Sequence, residues 1–156
     1  VEARLEPNML ASGAPMNGDA PPGAWTGARR LGAGTATCQP LDWYYPVHDQ
    51  LTPDDPRDAE VVLAAECVWL QDLAEPFVET VQVLLAGPRR PRGVLAFRER
   101  AKDDSESFSS LESVVAAFRA RGVHLMERGS CDAPESPGLV TTFYELSLGP
   151  LGEDES

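Results

Sequence analysis

The chain has 156 residues, of which 42% are hydrophobic, and it carries 25 acidic against 13 basic side chains. This length fits one domain or part of one, and the apolar fraction is sufficient for a hydrophobic core. A net charge of −12 argues against nucleic acid as a partner, since phosphate binding needs a basic face. The same charge is compatible with a basic protein target, which an acidic surface attracts.

The cysteines and histidines give no metal-binding pattern. Cys38, Cys67 and Cys131 are odd in number and lack CxxC spacing, which argues against a disulfide framework and a zinc site. His48 and His124 lie far apart in the chain. No apolar run is long enough to span a bilayer and no signal peptide is visible. We therefore expect a cytoplasmic protein, with the nucleus as an alternative, that does not contact membranes.

The N-terminal part of the sequence has little regular pattern. Residues 12–34 are rich in Gly, Pro and Ala, which predicts a flexible surface loop. The run from Gly32 to Thr37 has some likeness to a dinucleotide-binding loop, but no strand precedes it and Thr37 stands where a small residue is needed. Residues 36–41 predict a strand that ends at Asp42 and Trp43. The Pro- and Asp-rich residues 44–59 predict a loop.

Regular elements follow. Residues 59–65 are apolar on both faces, which predicts a central parallel strand. Asp72 is the predicted cap of a helix that extends to Leu85 and ends at Gly87-Pro88. Residues 93–98 predict another buried strand. The apolar spacing in residues 108–118 predicts a second helix, with Gly122 as its stop. Its stripe consists of Phe108, Leu111, Val114, Val115 and Phe118.

Two strands without an intervening helix close the predicted fold. Residues 123–127 and 139–148 are joined by the turn-rich residues 129–138 and are expected to pair antiparallel at a sheet edge. Residues 149–156 form an acidic tail. Strands separated by helices imply parallel crossovers, so the order of elements predicts an α/β fold.

The most informative segment ends the strand at residues 59–65. Ligands of open α/β sheets bind at the carboxyl ends of the strands. Ala64 and Ala65 would let a flat ligand approach the backbone there, Glu66 would present a carboxylate, and Trp69 would form a wall. The alternative is a buried strand whose polar end simply begins a loop.

The order and spacing of several motifs resemble the seven-β-strand protein-lysine methyltransferases, which use S-adenosylmethionine. The motifs are Leu41-Asp42-Trp43, residues 62–70, the Leu-rich helix after them, residues 94–98 and residues 142–146. The resemblance covers about residues 5–148 and implies a class I, Rossmann-like methyltransferase fold. That fold is a mostly parallel sheet with a terminal antiparallel strand pair.

The resemblance also implies roles for individual residues. The family has Ala-Asp, two variable residues and Tyr after its fourth strand, whereas this chain has Ala65, Glu66 and Trp69 at those positions. Trp43 and Ala65 would then contact S-adenosylmethionine, with Trp43 at its adenine end. Glu66 would lie near the methionine end or the incoming lysine, and Trp69 would line the lysine channel. Glu66 and Trp69 are the predicted catalytic residues, and a lysine-bearing protein is the predicted substrate.

The family's first strand, Gly-rich cofactor turn and ribose-binding acid do not occur in this sequence. We therefore expect residues 1–156 to be a single partial methyltransferase domain that lacks its first two strands. We also expect it to bind the cofactor poorly on its own. The alternatives are an inactive methyltransferase-like interaction domain, a truncated fragment or a generic α/β domain. No phosphate loop or Asp-rich metal cluster supports the last of these.

Overall fold

The computed structural model describes residues 29–36, 41–50, 55–99, 107–132 and 139–149. The chain divides into two compact units, one of residues 1–42 with 50–53 and the other of residues 43–49 with 54–156. In the first unit, strands β1 (Arg29–Leu31) and β2 (Gly34–Ala36) pair antiparallel as a short hairpin. The second unit contains the helices and a four-stranded sheet.

The described residues of this N-terminal region correct two sequence-based predictions and agree with the rejection of a dinucleotide-binding loop. Residues 29–34 are part of the hairpin and not of a loop, while residues 12–28 lie outside the described part. Gly32, with φ of 59°, is in the turn, so the Gly-rich run leads into a strand and not into the helix that a dinucleotide loop requires. Leu41 and Asp42 have no regular structure, so the strand predicted for residues 36–41 is wrong at its end; residues 37–40 are not described.

The four-stranded sheet contains β3 (Val61–Ala65), β4 (Arg92–Arg98), β5 (Val123–Asp132) and β6 (Val140–Leu148) in the order β3-β4-β6-β5. All four strands were predicted, and so was the antiparallel pairing of β5 with β6. Only β3 and β4 are parallel, whereas β6 is antiparallel to both neighbours. The described sheet is therefore mixed and not mostly parallel, and β3 is an edge strand of it and not a central one.

Strand β5 is longer than the sequence pattern indicated. Its pairing with β6 shifts register between Glu127 and Gly129 and then continues to Asp132. Gly129 lies at this β-bulge with φ of 149°, a backbone angle that glycine adopts more easily than other residues. The prediction that residues 129–138 form a turn is therefore wrong for residues 129–132, while residues 133–138 lie outside the described part.

Helix α1 (Gln71–Leu85) begins without the predicted side-chain cap. Its N-cap is Leu70, and Asp72 lies inside the first turn, where a carboxylate still interacts favourably with the helix dipole. The backbone N–H of Gln71 donates to the Ser107 carbonyl oxygen at 3.0 Å, so the preceding loop satisfies one of the free donors at the helix start. The helix ends before Gly87, where a Cβ would collide with the carbonyl oxygen of Arg57.

Helix α2 (Leu111–Ala120) has a conventional cap. Ser110 is its N-cap, and the Ser110 hydroxyl accepts a hydrogen bond from the Ser113 backbone N–H at 3.1 Å. Gly122, with φ of 72°, follows the last turn as predicted. Phe108 lies before this helix, in a backbone bridge with Leu70, and is therefore not part of the apolar stripe predicted for it.

The hydrophobic core lies between both helices and one face of the sheet, here called the covered face. Leu95, Phe97 and Leu146 contribute to it from the sheet, with Phe77 and Phe118 from the helices. Alternate residues of the strands point to the other face, here called the open face, because side chains alternate along a strand. On the open face Leu63 is 74% exposed and Val61 is 54% exposed. No helix in the described ranges is long and apolar enough to cross a membrane.

Candidate functional site

The carboxyl end of β3 is the centre of the candidate site. Ala64 is buried in the core, while Ala65 is exposed. The backbone N–H of Glu66 donates to the Ala96 carbonyl oxygen at 3.1 Å and so extends the pairing of β3 with β4 by one residue. Glu66 therefore lies at the shared carboxyl end of two parallel strands. A ligand crevice was predicted from the sequence at this position.

Glu66 has a left-handed backbone conformation, with φ of 55°. This region costs a residue with a Cβ roughly 1–2 kcal/mol relative to its usual conformation. Such strain persists where the surrounding structure imposes it, and it is concentrated at functional sites. Only Arg90 among the other non-glycine residues of the described ranges also has a positive φ. The strain thus coincides with the residue that the sequence singled out.

The carboxylate of Glu66 faces a guanidinium group. Glu66 Oε1 lies 3.6 Å from Arg98 Nε, and both side chains are about one-third exposed, at 30% and 27%. Arg98 Nε also donates to the Thr141 hydroxyl oxygen at 3.0 Å, and Thr141 is buried. Three neighbouring strands thus contribute one side chain each to a small polar cluster of Glu66, Arg98 and Thr141.

Sequence reasoning missed Arg98 and Thr141. Arg98 was detectable, because it ends the strand after β3 in the chain and the carboxyl ends of parallel strands meet at one edge. Thr141 was not, since its place opposite Arg98 depends on the register of β4 with the distant β6. A register of this kind is set by tertiary packing and cannot be counted from local spacing.

Cys67 follows Glu66 but is a packing residue. It is partly buried against the core, and its thiol donates to the Ala65 carbonyl oxygen at 3.4 Å. Burial raises the pKa of the Cys67 thiol, and the nearby Glu66 carboxylate raises it further, while the hydrogen bond to Ala65 has the opposite effect. A raised pKa leaves less thiolate at neutral pH, which does not suit a nucleophile.

Trp69, three residues after Glu66, is held in place by contacts with residues 108 and 109. Its ring centroid lies 6.0 Å from that of Phe108, with an interplanar angle of 32°. The Ser109 backbone N–H donates to the Trp69 carbonyl oxygen at 3.0 Å. The side chain is still 39% exposed, so Trp69 presents part of an immobilised aromatic surface to solvent.

Trp43 packs against helix α1. Its ring meets the edge of Phe77 with centroids 5.1 Å apart, and it is half-buried on the core to which Ala64 also belongs. Tyr44 and Tyr45 are each 64% exposed. The structure therefore brings Glu66 together with Arg98, and it gives Trp43 and Trp69 separate aromatic partners. None of the described ranges contains a group of three His, Cys, Asp or Glu residues arranged to hold a metal ion.

Comparison with known proteins supplies one match. A family model described as lysine methyltransferase matches residues 28–114, which is more than half of the 156-residue chain. The match extends from the β1–β2 hairpin to the first turn of α2 and includes Trp43, Glu66, Trp69 and Arg98. No curated protein and no solved structure shows significant similarity to the chain.

Proposed function

The chain belongs to the lysine methyltransferase family, and from that premise we propose that it takes part in S-adenosylmethionine-dependent methylation of a lysine side chain on a protein. The observation that carries the proposal is the strained Glu66 at the carboxyl end of β3, with its carboxylate against Arg98. The described fold, a four-stranded mixed sheet with two helices, is compatible with part of a Rossmann-like methyltransferase domain.

The residues present fit one side of such a cofactor. Ala65 is small and exposed where the parallel strands end, which leaves room for a flat group to approach the backbone. Trp43 is half-buried and braced by Phe77, which suits an aromatic group beside it. We propose that Trp43 and Ala65 hold the adenosine part and that Glu66 lies towards the methionine part. When bound, S-adenosylmethionine supplies an electrophilic methyl group.

The side chains of the chain would then prepare the lysine. Glu66 accepts a hydrogen bond from the amine and orients its lone pair, and the Arg98 guanidinium restricts the longer Glu side chain to one direction. Trp69 flanks the aliphatic stem of the lysine, and its ring stabilises a methylated ammonium through cation–π contact. No covalent intermediate with the protein is required, so the rate depends on positioning and on exclusion of water.

The open face supports the proposal that further polypeptide completes this domain. Leu63 and Val61 are exposed on β3, whose outer edge pairs with no other strand in the described ranges. Apolar edges of this kind are normally covered. We propose that a strand encoded upstream of Val1 pairs with the outer edge of β3 and that a Gly-rich cofactor turn follows that strand. Sequencing the transcript upstream of Val1 tests this, and we expect a strand, a Gly-rich turn and an acid at the end of the next strand.

Cofactor affinity separates the isolated chain from the completed domain. We expect isothermal titration calorimetry to detect little binding of S-adenosylmethionine by residues 1–156 alone, because the described site offers only one side of a pocket. Joining the upstream segment should restore binding. Micromolar affinity of the isolated chain would contradict the proposal that a segment is missing.

Methyl transfer tests the role of the site itself. We expect the completed protein to transfer radiolabelled methyl groups to proteins of a cell lysate. Glu66→Gln and Trp69→Ala should each lower the rate at least about tenfold, as the loss of a positioning contact does. Glu112→Gln is the matched control, since Glu112 is exposed on α2. Unchanged turnover of Glu66→Gln would remove Glu66 from the mechanism.

An interaction domain without activity is the second candidate. The observation that favours it is the extent of the open face, where a partner protein could pack on Leu63, Val61 and Val94. The substitution of Glu and Trp for the family's Asp and Tyr is consistent with it. Failure of the completed protein to bind S-adenosylmethionine would support this candidate over the enzyme.

A further inference from the structure

A groove distinct from the Glu66 cluster lies along helix α1. It has a volume of about 440 Å³ and is enclosed by residues 43–48 on one side and by α1 residues 75–83 on the other. The aromatic side chains of Trp43, Tyr44 and Tyr45 line it, together with the carboxylates of Glu75 and Glu79. All of these residues belong to the larger of the two compact units.

The aromatic wall of the groove is anchored to α1 at two points. Pro76 lies inside the helix and has no backbone N–H, so the Asp72 carbonyl oxygen four residues earlier lacks its usual helical donor. The Tyr44 hydroxyl donates to that oxygen in a long hydrogen bond of 3.5 Å. Trp43 packs edge-on against Phe77, with centroids 5.1 Å apart. The proline that interrupts the helical hydrogen bonds thus creates the acceptor that helps to hold the wall.

The rim of the groove retains negative charge. Arg121 is shared by Glu75, at 3.4 Å, and by Glu79, at 3.1 Å, so one guanidinium faces two carboxylates. Among the described residues that line the groove there is no Lys or Arg. His48 also lines the groove, and its Nε2 lies 3.4 Å from Asp49 Oδ1. A cation entering the groove would therefore be attracted and not repelled.

We propose that this groove docks a basic segment of a protein partner by accepting one of its arginine or lysine side chains. Tyr44 and Tyr45, each 64% exposed, offer ring faces for cation–π contact. Glu75 and Glu79 offer carboxylates, and Pro76 and Val83 offer apolar surface for the aliphatic stem. The chain's overall charge of −12 would steer such a segment towards it.

The inference deepens the proposed function, because it assigns the class of protein that is presented for methylation. It rests on that function only for the identity of the partner. Docking is an equilibrium that needs neither the cofactor nor turnover. It can therefore be measured on the 156-residue chain itself.

Fluorescence anisotropy with a short labelled peptide that alternates arginine and glycine tests the proposal. The unmodified chain should bind this peptide, with affinity that falls as salt is added, and should not bind the same peptide with glutamine in place of arginine. The double variant Glu75→Gln/Glu79→Gln and the single variant Tyr45→Leu should each weaken binding roughly threefold to tenfold. Glu112→Gln, which removes an exposed carboxylate on α2, is the control and should bind normally.

Three results would overturn the proposal. One is equal binding of the arginine and glutamine peptides, and another is unchanged binding by both groove variants. The third is a loss in Glu112→Gln as large as in Glu75→Gln/Glu79→Gln, which would indicate a diffuse charge effect. Circular dichroism shows whether each variant is folded. Tyr44→Phe keeps the ring and removes only the hydroxyl that donates to the Asp72 carbonyl oxygen, so it probes the anchoring of the aromatic wall. Docking by the chain, combined with failure of the completed protein to transfer methyl groups, would contradict the proposed function and leave this inference intact.

Discussion

The two faces of the four-stranded sheet differ in what covers their apolar side chains. On the covered face, Leu95 and Leu146 are 0% and 1% exposed beneath the two helices. On the open face, Leu63 and Val94 are 74% and 38% exposed, although they are equally apolar. Burial in this chain is therefore decided by the partner of each face. The covered face forms the buried core, whereas the apolar side chains of the open face remain exposed to solvent.

The largest expected difference in stability between the two faces comes from truncating one leucine to alanine on each face. Leu95→Ala should lower the free energy of unfolding by about 2–5 kcal/mol, because it leaves a cavity in the core. Leu63→Ala should change it by less than about 0.5 kcal/mol, because its side chain is already in solvent. Urea unfolding followed by circular dichroism measures both. Comparable losses would show that the open face is buried in solution.

Adding one carbon atom should also destabilise the protein more on the covered face than on the open face. A Cβ on Gly93 would lie 2.9 Å from Leu146 Cβ and 3.2 Å from Leu85 Cδ2, so Gly93→Ala should cost about 1–3 kcal/mol through overpacking. Val61→Ile adds a methyl group on the open face and should be close to neutral, since Val61 is 54% exposed. The same unfolding measurement applies. A stable Gly93→Ala protein would mean that the covered face can relax.

The strained residue at the end of β3 permits a finer comparison. Glu66→Gly and Glu66→Ala both remove the carboxylate that faces Arg98. The glycine variant should be more stable than the alanine variant by about 1 kcal/mol, because a φ of 55° is unfavourable only when a Cβ is present. Thermal unfolding of the two variants tests this. Equal stabilities would indicate that residue 66 relaxes when the ion pair is lost.

The smallest effect concerns the reactivity of two thiols. Cys67 is partly buried against the core and its pKa is raised by burial, whereas Cys131 on β5 is exposed. Less of Cys67 is thiolate at neutral pH, so iodoacetamide should modify it more slowly than Cys131. The rate of Cys67 modification should continue to rise at pH values above the pKa of an ordinary thiol. Peptide mapping by mass spectrometry follows each site, and faster labelling of Cys67 would contradict the raised pKa.

Elements with strong local patterns were predicted well. The apolar runs of β3 and β4, the helical spacing of α1 and α2, and the closing pair β5–β6 are all present. The errors lie where long-range contacts replaced local signals. Asp72 was predicted as a cap, but the loop at Ser107 satisfies the helix start instead. Phe108 was assigned to a helix, but it pairs with Leu70 and stacks on Trp69.

The sequence by itself determined the types of the main elements and the strongly negative net charge. These follow from periodicity and composition, which are local properties of the chain. Only the tertiary structure decided that β3 lies at an edge of the described sheet, that Arg98 contacts both Glu66 and Thr141, and that Trp43 and Tyr44 pack along α1. Those arrangements depend on strand order and register. Both are fixed by packing between segments far apart in sequence, which no local pattern specifies.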